Sequence, residues 1–433
     1  MGASVHAVAG DAMIVPMSDA TQAAAEIVDA AAHGTLLIIG SLPPGGRDLD
    51  LLARRGELEH VRVGLGAAGF SHVGQTHARF ASCTADVVEL VPAERWRLRR
   101  SAVDELFADA REVAPYRWLS QPAPHHALLI LARRLVLARG SLPGKLLDRA
   151  NDALARDPGA WEQAERRAES WRLARGLALL QAWHAGAEPS RPARLAALLE
   201  HIGRAPRRRA GRRQSGIVAL SGLDGAGKST QATSLAATLD LLGHPTVVEW
   251  NPMSTVSMAV PRSLKNLVLR RMGAGAPGDP AEASADRART AMRRQPAAVV
   301  HVLALGAAVL AVVAYWRVVL RHAPRGRLVI VDRYALDASV HLRFRYGQGR
   351  GLPVQLALIR WLSPKPVAAY LLEIAPATAM ARKAFHWTPA EFELQARLYA
   401  EERARHRAVA IDAEHAVEVI CAEVAVATWR RLG

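Results

Sequence analysis

The chain has 433 residues, enough for two to three domains, and its 50% apolar content excludes a disordered chain. A formal net charge of +16, almost wholly from scattered arginine, suits phosphate-bearing ligands or an anionic surface; with only 5% aromatics interleaved, a nucleic-acid platform is not supported. Two distant cysteines, Cys83 and Cys421, exclude a disulfide framework, and with no basic-then-apolar leader the sequence predicts a reducing, cytoplasmic setting.

In chain order, Leu36–Ile39, Val61–Val63 and Val87–Val91 read as strands of a small α/β unit over residues 1–110. Gly40-Ser41 follows the first of them, and Asp48-Leu49-Asp50 comes next. Two carboxylates one residue apart on a strand project to the same face and can hold divalent ions. The Gly-Ser turn offers backbone and hydroxyl donors to a triphosphate. A third acid is expected on a neighbouring strand, where Glu89 fits best and Asp86 is the second choice. Over about Gly34 to Pro92 this set resembles the nucleotidyltransferase superfamily signature. The resemblance implies a metal-dependent head with Gly40 and Ser41 at the nucleotide and Asp48, Asp50 and Glu89 at the metal. The competing reading is a solvated turn in which the acid pair arises by chance.

Residues 111–203 read as a helical subdomain, from the three- and four-residue apolar spacing of Ala127–Leu137 and Ala160–Ala187. Residues 204–215 are an Arg-rich linker with Pro and Gly, an exposed boundary or, alternatively, a basic patch for lipid or nucleic acid. After it, Ile217–Leu220 predicts a buried strand and Thr230–Leu242 a helix. Between them lies Gly222-Leu223-Asp224-Gly225-Ala226-Gly227-Lys228-Ser229, which fits G-x-x-x-x-G-K-[ST]. Glycines in such a loop turn N–H groups toward phosphate and the helix start adds positive charge. Lys228 reaches the β/γ oxygens of ATP, and Ser229 offers a hydroxyl to Mg²⁺.

Pro296–Tyr315 contains no Asp, Glu, Lys or Arg and is long enough to cross a bilayer. A single span would separate the loop from Asp332, and the expectation is a buried or dimer-interface helix. A membrane-associated helix and a true span stay open as alternatives. Then Leu328–Val331 predicts a strand that delivers Asp332, Arg333 and Tyr334 to the ligand end of a parallel sheet. An acid there can hold the Mg²⁺ shell, and an Arg can clamp a second phosphate.

Gly222–Ser229 with Thr230-Gln231, then Asp332-Arg333-Tyr334, then Pro364-Lys365-Pro366 before the strand Val367–Ile374, resemble thymidylate kinase over residues 216–433. Ala379-Met380-Ala381-Arg382-Lys383 is similar to the family's lid, and Ile411-Asp412-Ala413 to its last strand. The resemblance implies a P-loop NTPase parallel sheet flanked by helices and kinase activity with ATP and Mg²⁺. It implies nucleotide contacts from Gly222, Gly225, Gly227, Ser229 and Thr230. It also implies a sugar contact from Asp224, an acceptor-phosphate clamp at Arg333 and phosphoryl stabilisation by Arg382. Trp250-Asn251-Pro252-Met253 stands where the family has Phe-Pro-x-Arg and lacks its base-reading Arg, which leaves the acceptor a nucleotide or another phosphorylated small molecule.

The expectation is a two-headed α/β transferase. Two other readings stay open: an ATP-binding regulatory or assembly protein with a P-loop switch, and a peripheral membrane protein, drawn from Pro296–Tyr315 and the neighbouring Arg293, Arg294, Arg317 and Arg321.

Overall fold

Short, mostly apolar strands, buried on both faces, lie at the centre of each half of the chain. The computed structural model describes residues 17–81, 84–138, 144–202, 216–250, 296–347, 351–382 and 388–432. It divides the chain into Met1–Arg79 with Asp86–Arg209, and Phe80–Ala85 with Ala210–Gly433. The Arg-rich linker, Cys83, Met253 and the pair Arg293 and Arg294 lie outside the described residues.

The first unit begins with α1 (Met17–Ala31), β1 (Leu36–Ile38), β2 (Leu49–Ala53), α2 (Leu58–Ala67), β3 (Ser71–Val73), β4 (Thr76–Ala81) and β5 (Thr84–Pro92), except that the adjoining strand ends within Phe80–Ala85 group with the second unit. It continues with α3 (Arg100–Ala108), β6 (Arg111–Glu112) and β7 (Leu119–Gln121), then α4 (Pro124–Leu137), α5 (Gly144–Arg156), α6 (Ala160–Ala168), α7 (Ala174–His184) and α8 (Arg191–Ile202). The strands form a mixed seven-stranded sheet in the order β3-β4-β5-β2-β1-β7-β6. β2 runs antiparallel to β1 and parallel to β5, and β1 runs parallel to β7. The sheet therefore continues past residue 110 to Gln121, because Leu119 pairs with Leu36.

Leu36, Ile38, Leu49, Leu51, Val88 and Leu90 pack on α1 and α2. Leu37, Ile39 and Leu52 point the other way, into a core shared with α3 to α8. This alternation decides which acids can meet, since residues two apart share a face. Val61–Val63, expected as a strand, lies inside α2. The buried residues there are Leu58, Val61 and Leu65, spaced by three and four, so tertiary packing on a helical face overrides the β-branched character of two valines. Ala160–Ala187, helical in pattern, holds two helices, separated where Arg172 adopts a φ of 53°.

The second unit contains β8 (Ile217–Gly222), α9 (Lys228–Leu241), β9 (Thr246–Trp250), α10 (Ala297–His322), β10 (Leu328–Asp332), α11 (Ala335–Tyr346) and α12 (Pro353–Leu362). After these come β11 (Ala368–Glu373), α13 (Pro376–Arg382), α14 (Pro389–Arg403), β12 (Val409–Asp412) and α15 (Val417–Leu432). Its five strands are all parallel, in the order β12-β11-β8-β10-β9. Val218 and Leu220 face a core with α9, α14 and α15, whereas Ile217 and Ala219 face α10 and α12. Because the strands run the same way, the ends of β8, β10 and β11 open on one edge. The chain's order reverses beside β8, and the crevice of such a sheet lies at that reversal.

α10 is long and apolar enough to cross a bilayer by length and composition. Here one face of it, Ala304, Ala308, Ala311 and Tyr315, packs against Ile217, Ala219, Val329 and Val331 of the sheet. β8 and β10 are direct neighbours, with Leu220 beside Asp332, so the helix does not part the loop after β8 from Asp332.

Candidate functional site

The loop Gly222–Gly227 leaves β8 and enters α9 at Lys228. At Gly225 φ is +91°, and a Cβ there would sit 2.6 Å from the carbonyl oxygen of Ala379, so only glycine allows α13 to close on the loop. Lys228 is buried, and its Nζ donates to the carbonyls of Gly222 and Leu223, each at 2.8 Å. The ammonium therefore does not stand in solvent: the loop's carbonyls capture it. Burial, then the charge of Arg333, lowers its pKa, opposed by Asp337, Asp224 and Asp332.

Ser229, at the start of α9, donates its hydroxyl to Asp332 Oδ2 at 2.6 Å. Asp332 is buried at the end of β10, and among the described residues its Oδ1 accepts no hydrogen bond. A buried anionic oxygen left unsatisfied beside a hydroxyl is the donor set that a hard divalent cation takes, so these two residues fit Mg²⁺.

Arg333 turns off β10 with φ 74°, and its backbone N–H still donates to Leu220 O at 3.0 Å. Its guanidinium is hydrogen-bonded to Asp224, which lies 3.8 Å from Lys228 Nζ. Burial works against the charge of Arg333, but Asp224 and Asp337 outweigh it and hold its pKa above the ordinary value. Asp337, which carried no sequence signal, caps α11 by accepting from Tyr334 N at 3.0 Å and receives Tyr399 Oη at 2.8 Å. Burial raises its pKa, against the pull of Lys228 and Arg333.

Gly222, Asp224, Gly225, Gly227, Lys228, Ser229, Asp332 and Arg333 thus gather at one sheet edge, with Thr230 exposed on the first turn of α9. Arg382 ends α13, the helix that meets Gly225, but it is exposed and donates to the carbonyl of Ala413 at 3.0 Å.

In the first unit, Asp50 and Glu89 are paired positions on the parallel strands β2 and β5. Both share the face of Leu37 and Leu52, away from α1 and α2. Asp86 shares the opposite face with Val88 and Leu90 and is held by Arg79 at 2.7 Å. Register therefore brings Glu89, not Asp86, to Asp50. Asp48 lies exposed just before β2. With Asp50 and Glu89 it lines a cavity of about 530 Å³, closed on the other side by Arg133 and Arg134 of α4.

Gly40 is required by close approach, since a Cβ there would lie 2.8 Å from Asp50 Cβ. Ser41 follows it in the exposed turn. Asp50 Oδ1 is buried with no hydrogen bond among the described residues, while Arg134 reaches Oδ2 at 2.5 Å. The acids fit a cation at Oδ1, with Arg134 already neutralising part of their charge. Partial desolvation and then the charge of Asp50 raise the pKa of Glu89, opposed by Arg134 and assisted by Asp48. Glu89 opens to solvent, so water tempers the effect. Arg149, a further residue without sequence signal, donates to the carbonyls of Ile39 at 2.8 Å and Gly40 at 2.6 Å and ties α5 to the turn.

Asp109, His125 and His126 bring ligand atoms within 4.8 Å of one another. Arg167 lies 3.8 Å from Asp109, and the two histidines occupy the first turn of α4. The guanidinium and the positive helix end both oppose a cation there. Burial holds the pKa of His126 down to about 3.

No protein-family model matches the chain.

Proposed function

We propose that the second unit is an ATP-dependent kinase-like phosphotransferase. It moves the γ-phosphoryl group of ATP to a nucleoside monophosphate or a similar phosphorylated acceptor. The observation that carries this reading is the Ser229–Asp332 hydrogen bond at 2.6 Å, beside an orphaned carboxylate oxygen and a lysine folded into the same loop. Phosphoryl transfer demands little covalent chemistry of a protein; it needs positive charge and alignment around oxygens. Lys228 would leave the two carbonyls for the incoming phosphates, and the loop's N–H groups would orient them. Arg333 would clamp the acceptor phosphate, in competition with Asp224. Ser229 and Asp332 would hold Mg²⁺, which neutralises charge on the phosphate oxygens.

Incubation with ATP, Mg²⁺ and a panel of nucleoside monophosphates, with ADP formation as readout, tests this. The expected result is acceptor-dependent ADP release with no more than about a hundredfold preference among bases, because the segment ending in Met253 lacks the base-reading Arg. No ADP above background with any acceptor overturns the phosphotransferase reading and favours an ATP-binding switch.

A second reading, for the first unit, rests on the pairing of Asp50 with Glu89 beneath Arg134. We propose a metal-dependent nucleotidyltransferase-like head whose acids hold divalent ions. The folded state raises the pKa of Glu89 above its ordinary 4.5, so it favours the protonated acid. That contribution to stability is complete below the ordinary value and is lost as pH rises through the folded one. Glu89→Gln should therefore raise the melting temperature of the metal-free protein at neutral pH, and the gain should vanish on acidification below the ordinary value. Added Mg²⁺ should stabilise the wild type and not the variant. A variant that melts lower at neutral pH, or that keeps the full Mg²⁺ shift, contradicts the metal-site reading.

A further inference from the structure

The outer face of α10 takes no part in either proposed site. Val302, Leu305, Val309, Val313, Trp316 and Leu320 are all exposed there, and their spacing of three and four places them on one face. At the rise of an α-helix the row is about 27 Å long. Beside it lies α12, where Trp316 Nε1 donates to the carbonyl of Leu362 at 2.8 Å. α12 adds Val354, Trp361 and Leu362, exposed by 65%, 68% and 56%. Isolated apolar residues on a surface need no explanation, but two adjoining helices that expose nine large apolar side chains mark an interaction site.

The charges around the patch indicate what covers it. From Ala297 to Arg327, and from Gly351 to Leu372, the sequence contains no Asp or Glu. Its charged groups are Arg317, Arg321, Arg325, Arg327, Arg360 and Lys365, all cations. Trp361 sits between two of them, 5.5 Å from Arg360 and 5.6 Å from Lys365. Glu249, which meets the C-terminal end of α10, is engaged by His322 at 2.9 Å. A symmetric contact with a second copy would lay these cations against one another with no acid from either helix to answer them. An anionic headgroup layer answers the exposed ones, Arg317, Arg321, Arg325, Arg327 and Lys365, and tryptophan rings favour that depth of a bilayer.

We propose that the α10–α12 face docks the protein onto an anionic lipid surface. α10 then lies in the headgroup plane, with its apolar row toward the acyl chains and its alanine face on the protein's own sheet. It does not cross the bilayer, because crossing would strip Ala304, Ala308, Ala311 and Tyr315 from that core.

The test is flotation of the full chain with vesicles of phosphatidylcholine, alone or mixed with phosphatidylglycerol. The protein should float with the mixed vesicles, float poorly with phosphatidylcholine alone, and be released by salt. Val309→Glu combined with Val313→Glu should abolish flotation. Arg317→Gln combined with Arg321→Gln should weaken it about twentyfold and lessen its salt dependence. All four side chains are exposed, and unchanged melting curves verify that the variants fold. Wild-type protein that stays soluble with the mixed vesicles, or glutamate variants that float like the wild type, overturns the proposal. So does light scattering that shows a wild-type dimer dissociated by the same glutamates, which would assign the face to a second copy.

Discussion

Replacing Lys228 by alanine is expected to lower ATP turnover by about a hundredfold to a thousandfold, the usual effect of deleting one preorganised positive donor from a transfer site. The protein should remain folded, for a reason visible in the loop. Lys228 is a buried cation whose pKa is depressed first by burial, so its charge is a cost to the folded state. Its removal deletes that cost and leaves the carbonyls of Gly222 and Leu223 without their donor. The two effects oppose each other, and the net change in stability should stay within about 2 kcal/mol. Steady-state ADP release and a thermal melt check both statements. If turnover survives, the loop is not the phosphate site. Lys228→Met, which keeps the apolar stem, separates lost charge from lost packing should the alanine variant melt early.

What could be read in the sequence was local. The glycine-rich loop is legible because backbone geometry is written in consecutive residues, and Asp332 because it ends an apolar strand. The groups that surround them were not legible, since each comes from a distant helix. Tyr399 reaches Asp337 across 62 positions, and Arg134 reaches Asp50 across 84. The choice between Glu89 and Asp86 needed the register of β5 on β2, which composition does not encode. Apolar composition marked α10 but not its orientation. The small residues Ala304, Ala308 and Ala311 face the sheet, where close packing needs them, and the larger Leu305, Val309 and Trp316 face outward. That reverses the usual size order of a core-facing helix and hides the amphipathic signal.

Arg333→Ala is expected to lower phosphorylation of a monophosphate acceptor by about a hundredfold or more in kcat/KM, the consequence of losing a charge-assisted clamp of about 3 kcal/mol. ATP binding should survive, because Lys228 and Ser229–Asp332 are held by other groups and the variant releases only Asp224 within the loop. Arg333→Lys keeps the charge but not the planar fork, and should recover only part of the activity. The backbone supplies a second, independent readout. At φ 74° Arg333 occupies the left-handed region, which costs a non-glycine residue about 1 kcal/mol or more. Arg97, Arg172 and Arg407 also lie in this region, so the angle by itself assigns no role to the side chain; it supplies a strain that glycine would relieve. Arg333→Gly should therefore be as inactive as Arg333→Ala yet melt at a higher temperature, since both lose the Asp224 ion pair and only glycine relieves the backbone. If both variants phosphorylate the acceptor at the wild-type rate, Arg333 serves only to balance Asp224, and the acceptor phosphate must be held elsewhere.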